Sequence, residues 1–249
     1  MSCPHSPTTT HDAGTCPAVR PELRQPLPPR MRKLSVDARG YPVPWFVHWL
    51  PDGTPEHRAM DTKKWPRAVH ERLCWTCGEP MGKFLTFVIG PMCGVNRTTA
   101  EPASHLDCAI WSAQNCPFLS RPHATRRDVD TTQERFAHLR TDPAGIGIAR
   151  NPGVTLLWTT MTFYQWRPSA RNRADCPAIN DGPLLHIGDP IAIRAFAEGR
   201  EATRAEIDES TRTGLPALLE VAELQGDAAI KELLAAMTTF AKTLDAFVA

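Results

Sequence analysis

The rhythm of apolar positions changes three times along this 249-residue chain. Residues 1–33 have none: proline, serine and threonine crowd a stretch with too little apolar surface to offset the entropy of ordering it. A disordered tail over 1–33 is expected, with Cys3 and Cys16 as bystanders. In "GYPVPWFVHWLPDGTPEHRAM" the aromatic and β-branched run 45–50, the turn "PDGT" and the return at 57–60 predict a β-hairpin. Asp61 is then placed to cap a short helix through "KKWPRAVHERL", with Pro66 near its first turn. "KFLTFVIGPM" reads as a strand closed by a Gly-Pro turn, and "AEPASHLDCAIWSAQ" as a helix start with Ser104 as its N-cap.

Beyond a polar linker, "RPHATRRDVDTTQER", the pattern turns to strands. "GIGIAR", the turn "NPG" and "VTLLWTTMTFYQW" predict a second hairpin, to which "PLLHIG" adds a third strand. The last regime is helical. Thr203 to Glu206 spell a capping box, Gly214 is a helix stop, Pro216 opens the next helix, and Gly226 with Asp227 separates the last. In that last helix Ile230, Leu233, Leu234, Met237, Phe240, Leu244, Phe247 and Val248 recur at spacings of three and four, an apolar stripe for a core or a partner. The expected fold is α+β, in four parts: a tail (1–33), a hairpin-helix with a metal module (34–125), an antiparallel β segment (126–192) and a helical segment (193–249).

Composition narrows the function classes. No apolar run is long enough to cross a bilayer, and the N-terminus lacks the apolar core of a secretory leader, so the chain reads as cytosolic. The net charge is +1, with 22 Arg against 6 Lys, which is no basic footprint of a dedicated nucleic-acid binder. Charge is uneven: residues 1–73 carry eleven basic and seven acidic side chains, and 195–249 carry five and ten.

Five of the eight cysteines (74, 77, 93, 108 and 116) fall within 43 residues, which in a cytosolic chain points to metal rather than to disulfides. Cys74 and Cys77 form a knuckle, C-x2-C-G, in which two thiolates grip one ion and the glycine accepts a positive φ. His105 and Cys108 lie three apart on one face of a helix's first turn. Knuckle, hairpin and helix ligands compose a treble-clef-like zinc module, C-x2-C-x27-H-x2-C, holding one Zn2+. Cys93 is an alternative fifth donor, because C-x2-C-x15-C begins a four-cysteine ribbon whose fourth place falls on Asn96, a poor ligand. A surplus of donors favours a closed, structural site over a catalytic one with an open water position.

Two enzyme readings of the cysteine block lack the residues they need. A nucleotide deaminase needs H-x-E or C-x-E ahead of P-C-x-x-C; here Leu73 precedes Cys74 and no upstream His has Glu two places on. An HNH-type nuclease needs its histidines on the module, and residues 78–104 contain none, although His123 and His138 stand outside it. His186 in "LLHIG" reads as a half-buried side chain. Glu198, Arg200, Glu201, Arg204 and Glu206 read as ion pairs at a solvated helix end.

Several strings together, "YPVPWFV", "LCWTCGEPMG", "FVIGPMCGVNR", "EPASHLDCA", "NCPFLSRP" and "EGREATRAEIDESTRTGLPAL", resemble a family of uncharacterised proteins in tailed-phage and prophage genomes. The resemblance spans about residues 34–225 and implies a setting, the cytosol of a bacterial host, without a mechanism. The expected function is a zinc-stabilised interaction module that binds a protein partner, with no membrane. The alternative is a hydrolase or nuclease acting on nucleic acid. Candidate binding residues are Asn96 and Arg97, expected beside the metal in a polar loop. Arg121, Arg126 and Arg127 follow the module and could give weak nucleic-acid contacts, with Trp75 and Trp111 near its ends.

Overall fold

The computed structural model describes residues 26–120, 151–169 and 182–248. The expected first hairpin is present as β1 (Val47–Trp49) and β2 (Pro55–Met60), paired antiparallel. Helix α1 (Lys64–His70) starts two residues later than a direct Asp61 cap would place it, with Lys63 at the N-cap. The Asp61 carboxylate accepts from the backbone N–H of Lys63 at 3.0 Å, so it steadies the approach to the helix from outside.

The centre of the molecule is a four-stranded antiparallel sheet in the order β3 (Leu85–Ile89), β5 (Thr155–Thr160), β8 (Ala192–Ala197), β9 (Arg200–Glu201). All six residues of β5 are buried, and the register explains why. Phe87 opposes Trp158, which opposes Ile193, and this face meets Leu185, Ile187, Ile207, Phe240 and Leu244. On the opposite face Leu157 and Phe196 pack against Ala109 and Ala113 of α3 (Leu106–Asn115). A strand covered on both faces carries a continuous apolar run instead of an alternating one.

Several expectations change here. Both edges of β5 are taken, by β3 and β8, rather than by the expected partner 145–150, which lies outside the described residues. "VTLLWTTMTFYQW" is two strands in two sheets. The chain bends at Met161 and Thr162, and β6 (Phe163–Trp166) joins β7 (Leu184–Ile187) and β4 (Thr98–Thr99) in a three-stranded sheet. Gly188 permits this corner, since a Cβ there would stand 2.2 Å from Thr162 Oγ1. The Gly-Pro after β3 opens a helix, α2 (Pro91–Asn96), with proline in its first turn where its missing N–H costs nothing.

Within the last segment the helices start at Arg204, at the expected capping box, and residues 192–201 before it form the hairpin β8–β9. Glu198 and Gly199 both hold positive φ (51° and 73°), as a two-residue hairpin turn of the right twist demands. Gly214 does not stop a helix. Helix α4 (Arg204–Gln225) runs through it and through Pro216 to Gly226, and α5 (Asp227–Phe247) returns beside it. A Cβ at Gly214 would meet Met92 Cγ at 2.8 Å, so this glycine serves the close crossing of α4 over α2.

Candidate metal centre

The knuckle begins where α1 ends. Cys74 donates its N–H to the Glu79 carbonyl (2.8 Å), and Gly78, at φ 73°, donates back to the Cys74 carbonyl (2.8 Å), closing a tight loop around the two cysteines. Gly78 is required twice over. Its φ suits glycine, and a Cβ would press to 2.6 Å from the Trp45 ring.

A second set of bonds brings His105 and Cys108 to this loop. Trp75 N–H donates to the Ala103 carbonyl (2.9 Å), and the Thr76 and Ser104 hydroxyls meet at 3.0 Å in a buried contact. Ser104 also exchanges both backbone bonds with Thr86 of β3 (2.8 and 3.0 Å). It is therefore not the helix cap that the sequence suggested. His105 occupies the N-cap position, with no side-chain capping bond, and Cys108 lies in the first turn of α3. Ser104 fastens that turn to both the sheet and the knuckle.

Cys74, Cys77, His105 and Cys108 consequently gather with their donor atoms all within 4.8 Å of one another. The three thiols are 0–1 % exposed. Backbone N–H groups of Cys77 (3.4 Å) and His105 (3.3 Å) point at Cys74 Sγ, the arrangement that favours a thiolate. The histidine is equally prepared. Its Nε2 stands 3.2 Å from the Pro80 carbonyl, which can only accept, so Nε2 carries the hydrogen. That leaves Nδ1 facing inward, 3.5 Å from Cys77 Sγ. A ligand imidazole oriented by a carbonyl behind it is the usual outer support of a metal site.

The electrostatics agree. Hydrogen bonds from Cys108 and Cys77 draw the Cys74 thiol far below its ordinary pKa, and Cys108 is pushed far up by its bond to Cys74. His105 is pushed up to about 10 by its contacts with Cys74 and then Cys77, so its Nδ1 holds a proton that a bound metal would displace. Three buried thiols cannot all ionise beside one another without a cation, and a divalent ion would supply it. The donor set, three thiolates and one imidazole, fits zinc.

The site has a lid that the sequence reading missed. Leu27 and Met31 are buried and pack with Cys74, Cys77, Cys108 and Trp111. Arg30 pairs with Asp107 at 3.4 Å and Lys33 with Glu79 at 2.9 Å. The expectation of an unpacked tail through residue 33 thus fails over 27–33. The signal available was slight: two apolar residues four apart inside a proline-rich string.

The other candidates lie elsewhere. Cys93, on α2, packs against the main core and is outside the donor cluster. Asn96 closes a local turn, its Oδ1 accepting from Thr98 N–H at 3.0 Å. Arg97 is a clamp. At φ 57° it caps α2, its Nε (3.1 Å) and Nη2 (2.9 Å) donate to the Ile187 carbonyl, and its guanidinium lies 5.0 Å over the Trp158 ring. The cavity beside it, about 120 Å³, is lined by Gly94, Val95, Trp158, Ala236, Phe240 and two threonines, without a histidine, cysteine or carboxylate. Arg121, Arg126, Arg127, His123 and His138 lie outside the described residues. Arg200 and Glu206 pair at 2.6 Å, as the ion-pair reading of that stretch supposed. An exposed feature unmarked in the sequence is Tyr164, stacked on His186 (4.7 Å between ring centroids) across β6 and β7.

No family model, curated protein or solved structure matches the chain.

Proposed function

We propose that Cys74, Cys77, His105 and Cys108 hold one structural Zn2+ that fixes a treble-clef-like module, and that the protein works by binding rather than by catalysis. The observation that carries this reading is the closed donor set: four protein ligands, three of them buried thiols, satisfy tetrahedral zinc and leave no coordination place for a reacting water. The partner we propose is a protein. The sequence resemblance to phage and prophage proteins supplies the setting, a bacterial cytosol.

Purified protein is expected to carry one zinc per chain by elemental analysis. Cys77→Ser is expected to lose the metal and to unfold the middle of the chain, because structural zinc is worth about 10–16 kcal/mol in finger peptides, on the scale of a domain's whole stability. Iron with a visible chromophore, or a Cys77→Ser protein that melts like the parent, would refute the reading.

A second reading, weak binding of single-stranded nucleic acid, draws on the exposed Tyr164–His186 stack, since any base can lie on an aromatic face. Oligonucleotide titration across salt tests it. Phosphate contacts give a log–log slope of about −0.7 per phosphate on single strands, and Tyr164→Ala should weaken whatever binding is seen. Metal-dependent cleavage of the oligonucleotide would instead favour the nuclease alternative.

A further inference from the structure

Helices α4 and α5 outrun the body on which they rest. Their anchorage is at one end: Ile207 and Ser210 on α4, Phe240 and Leu244 on α5, with the Ser210 hydroxyl donating to the Pro152 carbonyl at 2.6 Å. Between Leu215 and Thr239 only Ala222 is buried. The two helices cover one stripe of each other there, and α5 keeps a second.

That second stripe is Ile230, Leu234, Met237 and Ala241, of which Leu234 and Ala241 are exposed and Met237, on the inner border, also packs against the main core. Its spacings of four, three and four are those of a coiled-coil seam. It runs beside the core-facing line of Leu233, Phe240 and Leu244, and Leu234, at its middle, is 55 % exposed. The span from Asp227 to Lys242 along this flank is about 22 Å at 1.5 Å per residue.

We propose that this seam pairs with the same seam of a second copy of the chain, antiparallel about a two-fold axis at Leu234. Charge decides both the occupant and the direction. Asp227 and Lys242, both exposed, stand on one flank of the seam, seven and eight positions from Leu234 on opposite sides. Antiparallel pairing centred on Leu234 sets each copy's Asp227 against the other's Lys242, twice over. Parallel pairing would turn this flank toward the partner's opposite flank and leave Asp227 and Lys242 about 22 Å apart along the axis, so neither charge would meet the other. The helix dipoles favour the antiparallel order as well. Such a self-complementary contact is closed and stops at the dimer, with the two helical hairpins forming a four-helix bundle. A seam of this length covers the low end of specific interfaces, roughly 1,000 Å² in total, so association belongs in the micromolar range. The inference rests on the helical hairpin alone and is independent of the metal assignment.

Sedimentation equilibrium of the full chain across the micromolar range tests it. The expected result is a monomer–dimer equilibrium that Leu234→Glu abolishes, by placing two carboxylates at the axis, while the far-ultraviolet circular dichroism is kept. Lys242→Glu should weaken the dimer severalfold, and adding Asp227→Lys to it should restore the original affinity, a rescue that loss of folding cannot imitate. A monomer at every concentration, a dimer indifferent to Leu234→Glu, or a double variant that fails to recover overturns the proposal. So does binding of an unlike helix to a chain that stays monomeric.

Discussion

At position 94 there is no room for a side chain. A Cβ on Gly94 would lie 2.6 Å from Phe240 Cε2 and 3.4 Å from Leu156 Cδ1, so a single methyl would push α5 away from α2. Gly94→Ala is expected to lower stability by about 1–3 kcal/mol in spite of alanine's better helix propensity, an effect chemical denaturation will read. This residue illustrates how legibility divides. The cluster of Cys74, Cys77, His105 and Cys108 could be read from the sequence because the spacing is local within each pair and the chemistry of Cys and His is narrow. Gly94, Gly214 and Arg97 could not. Their roles are set by Phe240, Met92 and Ile187, each far along the chain, and nothing in a linear string announces which distant side chain will arrive.

The turn between β9 and α4 shows the same division in a whole element. Thr203 and Glu206 were legible as a capping box, and both of its bonds are made: Thr203 N–H to Glu206 Oε2 at 2.8 Å and Glu206 N–H to Thr203 Oγ1 at 3.3 Å. The hairpin just before it was not legible, because its turn uses Glu198 at a positive φ where asparagine or aspartate is the usual sign. Thr203→Ala is expected to cost about 1 kcal/mol, measurable as a lower melting temperature. Acid tests the partner. Bonds from Arg200 and then from Thr203 N–H hold the Glu206 carboxyl down at about 2, against an ordinary 4.5. The folded state therefore binds fewer protons than the unfolded chain between these values. Its contribution is complete above pH 4.5 and is lost as pH falls toward 2. Glu206→Gln should be less stable than the parent at neutral pH, and the gap should close on acidification through that window. A gap that stays constant from pH 6 to 2 would show that the carboxylate is not the group responsible.

In the molecule as a whole, the candidate metal centre lies between two layers. Met31, fully buried, covers it from the N-terminal side, and α3 carries it on the sheet. Met31→Ala should cost about 2–5 kcal/mol and quicken loss of the ion to a chelator, with release followed by a colorimetric zinc indicator. A chain shortened to start at residue 34 should behave alike, since it removes Leu27 as well. The α+β class could be read from the alternation of strand and helix rhythms. The order of strands could not, because β3 ignores its neighbours in sequence and pairs with β5, where Thr86 and Thr159 meet across 73 positions. That long pairing bears on how the chain is born. On the ribosome all four donors are translated before β5, so the knuckle can take its ion while the underside of α3, Ala109 and Ala113, still has no Leu157 or Phe196 to rest on. For the seconds that translation of the intervening segment takes, at about 5–20 residues per second, a growing chain would stand with the proposed ion bound and its floor missing. Binding of the proposed ion would then act as a placeholder that shortens the later search for the sheet, by fixing Ser104 against Thr86 ahead of the strand that follows.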